Sequence, residues 1–287
     1  MIELFRALGV LAEPPGPEQA RLCGMLGLAG VPGAAEYTEV FALQLYPYAS
    51  IYVGAEGMMG GDAQDRVAGF WRALRRTPPP EPDHLTALLG LYASLAEHEG
   101  AEGDPARRLL WRRSRTALMW EHLASWLFPY LDKFCEIAPP FYRSWGALLV
   151  KAIASEIELV GPLDALPLHL RLAPPLPDPR RDGADVFVQG LLSPVRGGVV
   201  LTRADLARAA RDLGLGLRMG ERRFILTSLL AQDAGGTLEW LAAEARRQAS
   251  GHAAHEAVAG GVARFWADRA ATAGTLLRDL RPAEAPR

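Results

Sequence analysis

The sequence predicts an all-α protein: a helical bundle followed by a C-terminal helical extension. Three observations carry that expectation. Apolar residues recur at helical spacing through most of the 287 residues. Proline and glycine punctuate the chain at intervals that suit short helix connections. Apolar and polar residues seldom alternate with the period of two that marks strands.

Before residue 85 the helix candidates are residues 17–28, 34–45 and 62–75. Leu85, Leu88, Leu89, Tyr92, Leu95 and Ala96 then share one helical face. Asp104 followed by Pro105 reads as an N-cap and a proline at the first helical position. The helix they start carries Leu110, Ala117, Trp120, Leu123 and Leu127 on its apolar stripe, and Phe128-Pro129 is expected to end or kink it. Another helix starts near Pro139-Pro140 and runs through Trp145, Leu148, Leu149 and Ala152 to about residue 160. Six or more helices with short connections make a bundle.

Prolines 162, 167, 174, 175, 177 and 179 interrupt this pattern, so residues 173–184 are expected to be a linker between a domain at 1–172 and an extension at 185–287. In the extension, Thr202 with Asp205 three residues on is a capping-box variant opening a helix that stops near Gly214. Residues 220–230, 237–248 and 255–280 are further helix candidates.

Composition excludes some classes. Hydrophobic residues make up 49% and charged residues 22%, an ordinary globular balance. A net charge of -2 gives no basic bias towards nucleic acid. Acidic residues are in excess through Ala173 and basic residues after it. Lys133 and Lys151 are the only lysines, which reads as base composition rather than function. Cys23 and Cys135 form no C-x-x-C, so neither a disulfide nor a zinc site is signalled, as suits a reducing cytoplasm. The first residues differ from a secretory signal, and the longest apolar runs fall short of the roughly 20 residues of a membrane span.

Motifs for chemistry are sparse. Gly54, Gly57, Gly60 and Gly61 lack the spacing and the lysine of a phosphate-binding loop, so a flexible loop before a helix is expected. His252, His255 and Glu256 share a helical face, but in the order H-x-x-H-E, and are expected on a solvated face rather than on a metal. Glu156 and Glu158, two apart on a helix, point in different directions. No nucleophile motif is present, so no catalytic residue, cofactor or metal is expected. Residues 201–230 have helix–turn–helix proportions and carry Arg203, Arg208, Arg211, Arg218, Arg222 and Arg223. The interleaved Asp205, Asp212 and Glu221 weaken a DNA-binding reading, which stands as the alternative beside a structural assembly factor.

Two short segments are richer. Pro47, Tyr48, Ser50 and Tyr52 precede the glycine loop, and Glu81, Pro82, Asp83 and His84 precede the helix starting at Leu85. Pro82 biases Glu81 to an extended backbone, and Asp83 is placed to cap that helix. Glu81, Asp83 and Glu121, with His122, could equally supply carboxylates to guanidinium groups, with Tyr48, Tyr52 and Trp71 as an apolar wall. Residue chemistry alone leaves both readings open.

The order of these elements resembles the TorD/DmsD/NarJ family of cytoplasmic maturation chaperones for molybdenum-containing redox enzymes. The resemblance rests on Pro47-Tyr48-x-Ser50-x-Tyr52, the glycine loop, the helix from Asp62, Glu81-Pro82-Asp83-His84-Leu85, and His122-Leu123-x-x-Trp126-Leu127. It covers about residues 35–160 and implies a TorD/DmsD-like helical bundle with no enzymatic role. It also implies a molybdopterin-containing oxidoreductase client, bound in its apo form and through its twin-arginine signal peptide. The peptide-binding candidates are Tyr48, Ser50, Tyr52, Trp71, Glu81, Pro82, Asp83, His84, Glu121, His122 and Trp126. No nucleic acid partner and no stable membrane insertion are implied, and the protein is expected as a monomer or a helix-exchanged dimer. Tyrosine stands where some relatives have tryptophan, and the C-terminal extension exceeds the short family form.

Overall fold

A computed structural model describes residues 2–281; Met1 and the last six residues of the expected extension lie outside them. The chain is 72% helical, as the sequence predicts. No strand is present among the described residues, only a single antiparallel bridge between Tyr48 and His84.

The first half comprises α1 (Ile2–Val10), α2 (Pro17–Met25), α3 (Ala34–Tyr37), α4 (Ala49–Val53), α5 (Gly61–Ala73), α6 (Leu85–Ala101), α7 (Pro105–Ala117), α8 (Ser125–Ile137) and α9 (Pro140–Val160). Wide π turns extend α3 through Thr38–Gln44 and join α7 to α8 through Leu118–Ala124. Then follow α10 (Leu168–Arg171), α11 (Pro179–Asp182), α12 (Ala184–Leu191), α13 (Pro194–Gly197), α14 (Arg203–Asp212), α15 (Arg222–Gln232), α16 (Ala234–Ala254), α17 (Glu256–Ala259) and α18 (Gly261–Asp279).

The caps follow the sequence. Asp104 Oδ1 accepts the Arg107 N–H at 2.8 Å. Thr202 and Asp205 form a reciprocal capping box. Pro129 does not end its helix but lies inside α8. Proline has no N–H to give the Ser125 carbonyl one turn earlier. That carbonyl instead accepts the Trp266 indole N–H at 2.9 Å. The expected helix at 255–280 is divided at Gly260, whose φ of 51° ends α17 and starts α18.

A first apolar core gathers α1, α6, α8 and α9 around Phe5, Leu89, Phe134 and Trp145. Phe41, on the first wide turn, sits edge-on to Trp145 and Tyr142 there. Val195, Val200, Val262 and Trp266 from the second half belong to the same core. A second core lies within α12, α14, α15, α16 and α18, around Leu206, Leu226, Ala242 and Leu277.

The proline-rich segment expected as a linker is a packed strap. Ala173 and Leu176 are buried, and Gly190 lets Pro177 approach so closely that an added Cβ would stand 2.5 Å from the ring. The Arg269 guanidinium donates to the Ala173 and Pro174 carbonyls. Proline rings cannot continue a helix, but their apolar faces and restricted backbone suit such a strap.

Candidate functional site

The bridge between Tyr48 and His84 brings the two segments singled out in the sequence side by side. The Ala49 N–H donates to the Asp83 carbonyl at 3.1 Å, and the Leu85 N–H to the Pro47 carbonyl at 2.8 Å. Pro47 and Pro82 are buried at either side of this junction and stiffen it.

Asp83 is fully buried, and its Oδ2 accepts the Ser50 N–H at 2.9 Å. Its carboxylate therefore caps α4, whose first N–H groups have no partner within the helix. This corrects the expectation that Asp83 caps α6. His84 holds that position, its Nδ1 accepting the Thr86 N–H at 3.3 Å. Ser50 is also buried, and its Oγ accepts the Gly60 N–H at 3.2 Å, which fastens the glycine loop.

Around this junction lie side chains with access to solvent. The Tyr48 hydroxyl donates to Glu81 Oε2 at 2.9 Å, and its ring meets the His84 ring edge-on at 4.8 Å. Burial and the Glu81 carboxylate raise the Tyr48 phenol above its ordinary value, so it stays a donor. The Trp71 indole N–H reaches the Pro82 carbonyl at 3.4 Å.

Glu13 and Tyr37, which sequence reasoning missed, complete the group. Glu13 Oε1 stands 3.6 Å from His84 Nδ1. That is too long for a hydrogen bond, and Nδ1 already accepts from Thr86, so the pair is not an ion pair with imidazolium. Burial lowers the His84 pKa below its ordinary value, against the pull of Glu13, Glu81 and Asp83, and favours the neutral ring. Burial, then Glu13 and Glu81, raises the Tyr37 phenol. The exposed Glu81 and half-buried Glu13 carboxylates thus border an aromatic, uncharged floor. Among the described residues neither Glu13 nor Glu81 has a lysine or arginine within ion-pair distance.

The other expected site residues lie elsewhere. Tyr52 is 2% exposed and Trp126 not at all, and their rings stack at 5.2 Å in the first core. The Tyr52 hydroxyl donates to the Tyr46 carbonyl at 3.0 Å. Tyr52, expected on a groove wall, is thus buried in the core with Trp126, because helical spacing hides which face of a short helix is covered. Glu121 and His122 sit in a separate group with Arg66 and His169. Burial, with His169 and Arg66 nearby, depresses His122 to about 3. The Phe70 ring contacts His122 at 4.9 Å, while the neighbouring Trp71 reaches the first group, so α5 spans both.

Three further expectations meet the structure here. His252 on α16 and His255 just after it are not on a solvated face: His252 is buried, with Nε2 2.9 Å from the Gly198 carbonyl, and the half-buried His255 has Nε2 2.7 Å from Asp132 Oδ1. Lys133, read as incidental, is buried with its ammonium 2.9 Å from Asp205, 3.1 Å from Glu244 and 3.1 Å from Glu136. Those carboxylates have metal-ligand spacing, but the ammonium already sits among them, donating to Asp205 and Glu244 and paired with Glu136. In the segment of helix–turn–helix proportions, Arg222 donates to the Leu201 carbonyl at 2.8 Å and Arg208 joins Asp205 and Glu244, so both guanidiniums are engaged inside the protein.

No helix is long and apolar enough to cross a membrane among the described residues. Residues 33–135, a little over a third of the chain, match the family described as nitrate reductase delta subunit. The match bears out the resemblance to redox-enzyme maturation chaperones and contains both segments of the junction, but not Glu13, the strap or the extension. Neither a curated protein nor a solved structure matches the chain.

Proposed function

We propose that this protein is a non-enzymatic maturation chaperone for a molybdenum-containing oxidoreductase, and that the Tyr48–His84 junction receives the twin-arginine signal peptide of its client. The observation that carries this reading is the pair Glu13 and Glu81, two solvent-accessible carboxylates with no lysine or arginine partner among the described residues, beside an aromatic floor. A guanidinium fits that setting: its fork hydrogen-bonds carboxylates, and its flat face stacks on aromatic rings. Tyr48, Trp71 and Tyr37 supply the rings. Asp83, Ser50 and Tyr52 position the junction from beneath, and Pro82 fixes its backbone. Glu121 and His122 are assigned to shaping the far end of α5. Trp126 supports Tyr52.

A chaperone must release its client, so micromolar binding, about -8 kcal/mol, suits the role. The test is co-expression with a client molybdoenzyme that carries its signal peptide. The wild-type protein should co-purify with the apo-enzyme, and the Glu13→Gln/Glu81→Gln variant should not. Equal recovery with both, from variants that melt normally, would overturn the site assignment. No specific observation favours the DNA-binding alternative.

A further inference from the structure

We infer that the cavity between α18, α13 and the strap is a binding site for an amphipathic organic anion, an apolar body carrying a carboxylate or phosphate head. This does not depend on the peptide site proposed above. The cavity measures about 830 Å³, within the range of roughly 300–1,000 Å³ usual for small-molecule sites. Its walls are apolar: Leu166, Leu170 and Leu176 from the strap side, and Phe265 and Leu276 from α18.

The charged groups on its wall are mostly of one sign. Arg171, Arg196, Arg264 and Arg269 line it, against a single acid, the exposed Asp268. Among the described residues only Arg264 has a carboxylate partner, Glu256 at 3.0 Å. Arg269 donates to the Pro174 and Ala173 carbonyls, and Arg196 Nε to the Ala55 carbonyl at 2.7 Å. Those carbonyls satisfy hydrogen bonds but leave the positive charge uncompensated. Arg269 lies over the Phe265 ring at 5.1 Å, and burial alone shifts its pKa, downwards, with no carboxylate opposing. Arg171 is exposed.

A half-buried cation without a counter-charge is costly, and an anion brought into that setting is held more strongly than at an open surface. The same arginines pin the strap and the glycine loop, so the site is preformed. An acyl carboxylate or a phosphate monoester with an apolar tail would place its head among Arg171, Arg196 and Arg269 and its tail along Leu170, Leu176 and Leu276.

The test is calorimetry on the full chain with decanoate, decyl phosphate and, as the charge-reversed control, decyltrimethylammonium, each below its micelle concentration. At least one anion should bind at one site, at least tenfold more tightly than the cation, and weaken as salt rises. Thr272→Trp, at an exposed lining position of α18, should abolish that binding, and Arg171→Glu should weaken it at least tenfold without changing the melting temperature. The preferred head, carboxylate or phosphate, identifies the source. No binding at millimolar concentration would overturn the inference. So would equal binding of the cation, or anion binding unchanged in folded Thr272→Trp and Arg171→Glu.

Discussion

At the scale of single residues, the junction separates contact from support. Asp83 was legible in the sequence as a cap, but the helix it serves lies 33 residues back, and no local pattern reports such a pairing. Asp83→Ala should cost about 1–2 kcal/mol, the usual loss for a helix cap, read as a lower urea midpoint at unchanged slope. The buried histidines give a second expectation. His122 titrates at about 3 when folded and near 6.5 when unfolded, and His84 and His169 are also lowered by burial. Between those values the unfolded chain holds more protons, so stability falls as pH drops below about 6.5. For His122 the full slope is about 1.4 kcal/mol per pH unit. His122→Phe should flatten the stability profile between pH 6.5 and 5, checked by urea unfolding across that range. Burial sets this effect, and burial was not legible around His122.

At the scale of elements, helix positions followed from apolar period and caps, while the break at Gly260 and the continuation through Pro129 were not foreseen. A proline inside a helix reads as a break because the sequence does not show who takes the orphaned carbonyl. Here Trp266, 141 residues away, donates to Ser125. Trp266→Phe should therefore cost more than its packing loss, about 1–3 kcal/mol for a buried acceptor left unpaired. Pro129→Ala restores an N–H to the helix. In that background Trp266→Phe should cost less, and a double-mutant cycle read by urea unfolding measures the difference. The strap is the same lesson in reverse. Its prolines were legible as non-helical, but packing against Gly190 and Arg269 was not.

For the whole molecule, the all-α class was readable, and the joining of its halves was not. Lys133 lies on α8, Asp205 on α14 and Glu244 on α16, so one ammonium ties the bundle to the extension. Lysine suits the position because a compact charge with three donors meets three carboxylates. Lys133→Ala removes the buried ammonium but leaves Arg208 and Arg247 beside the acids, so it should cost about 3 kcal/mol, the low end for breaking a buried ion pair.

In the function proposed here, Glu13 and Glu81 beside Tyr48 and His84 receive the paired arginines of a client peptide. Isothermal calorimetry with a client's twin-arginine signal peptide tests it most directly. Micromolar affinity is expected for the wild type. Losses of about tenfold are expected for Glu81→Gln, for Glu13→Gln, and for a peptide with both arginines replaced by glutamine. Equal affinity for both peptides, or unchanged binding by both folded variants, would contradict the claim.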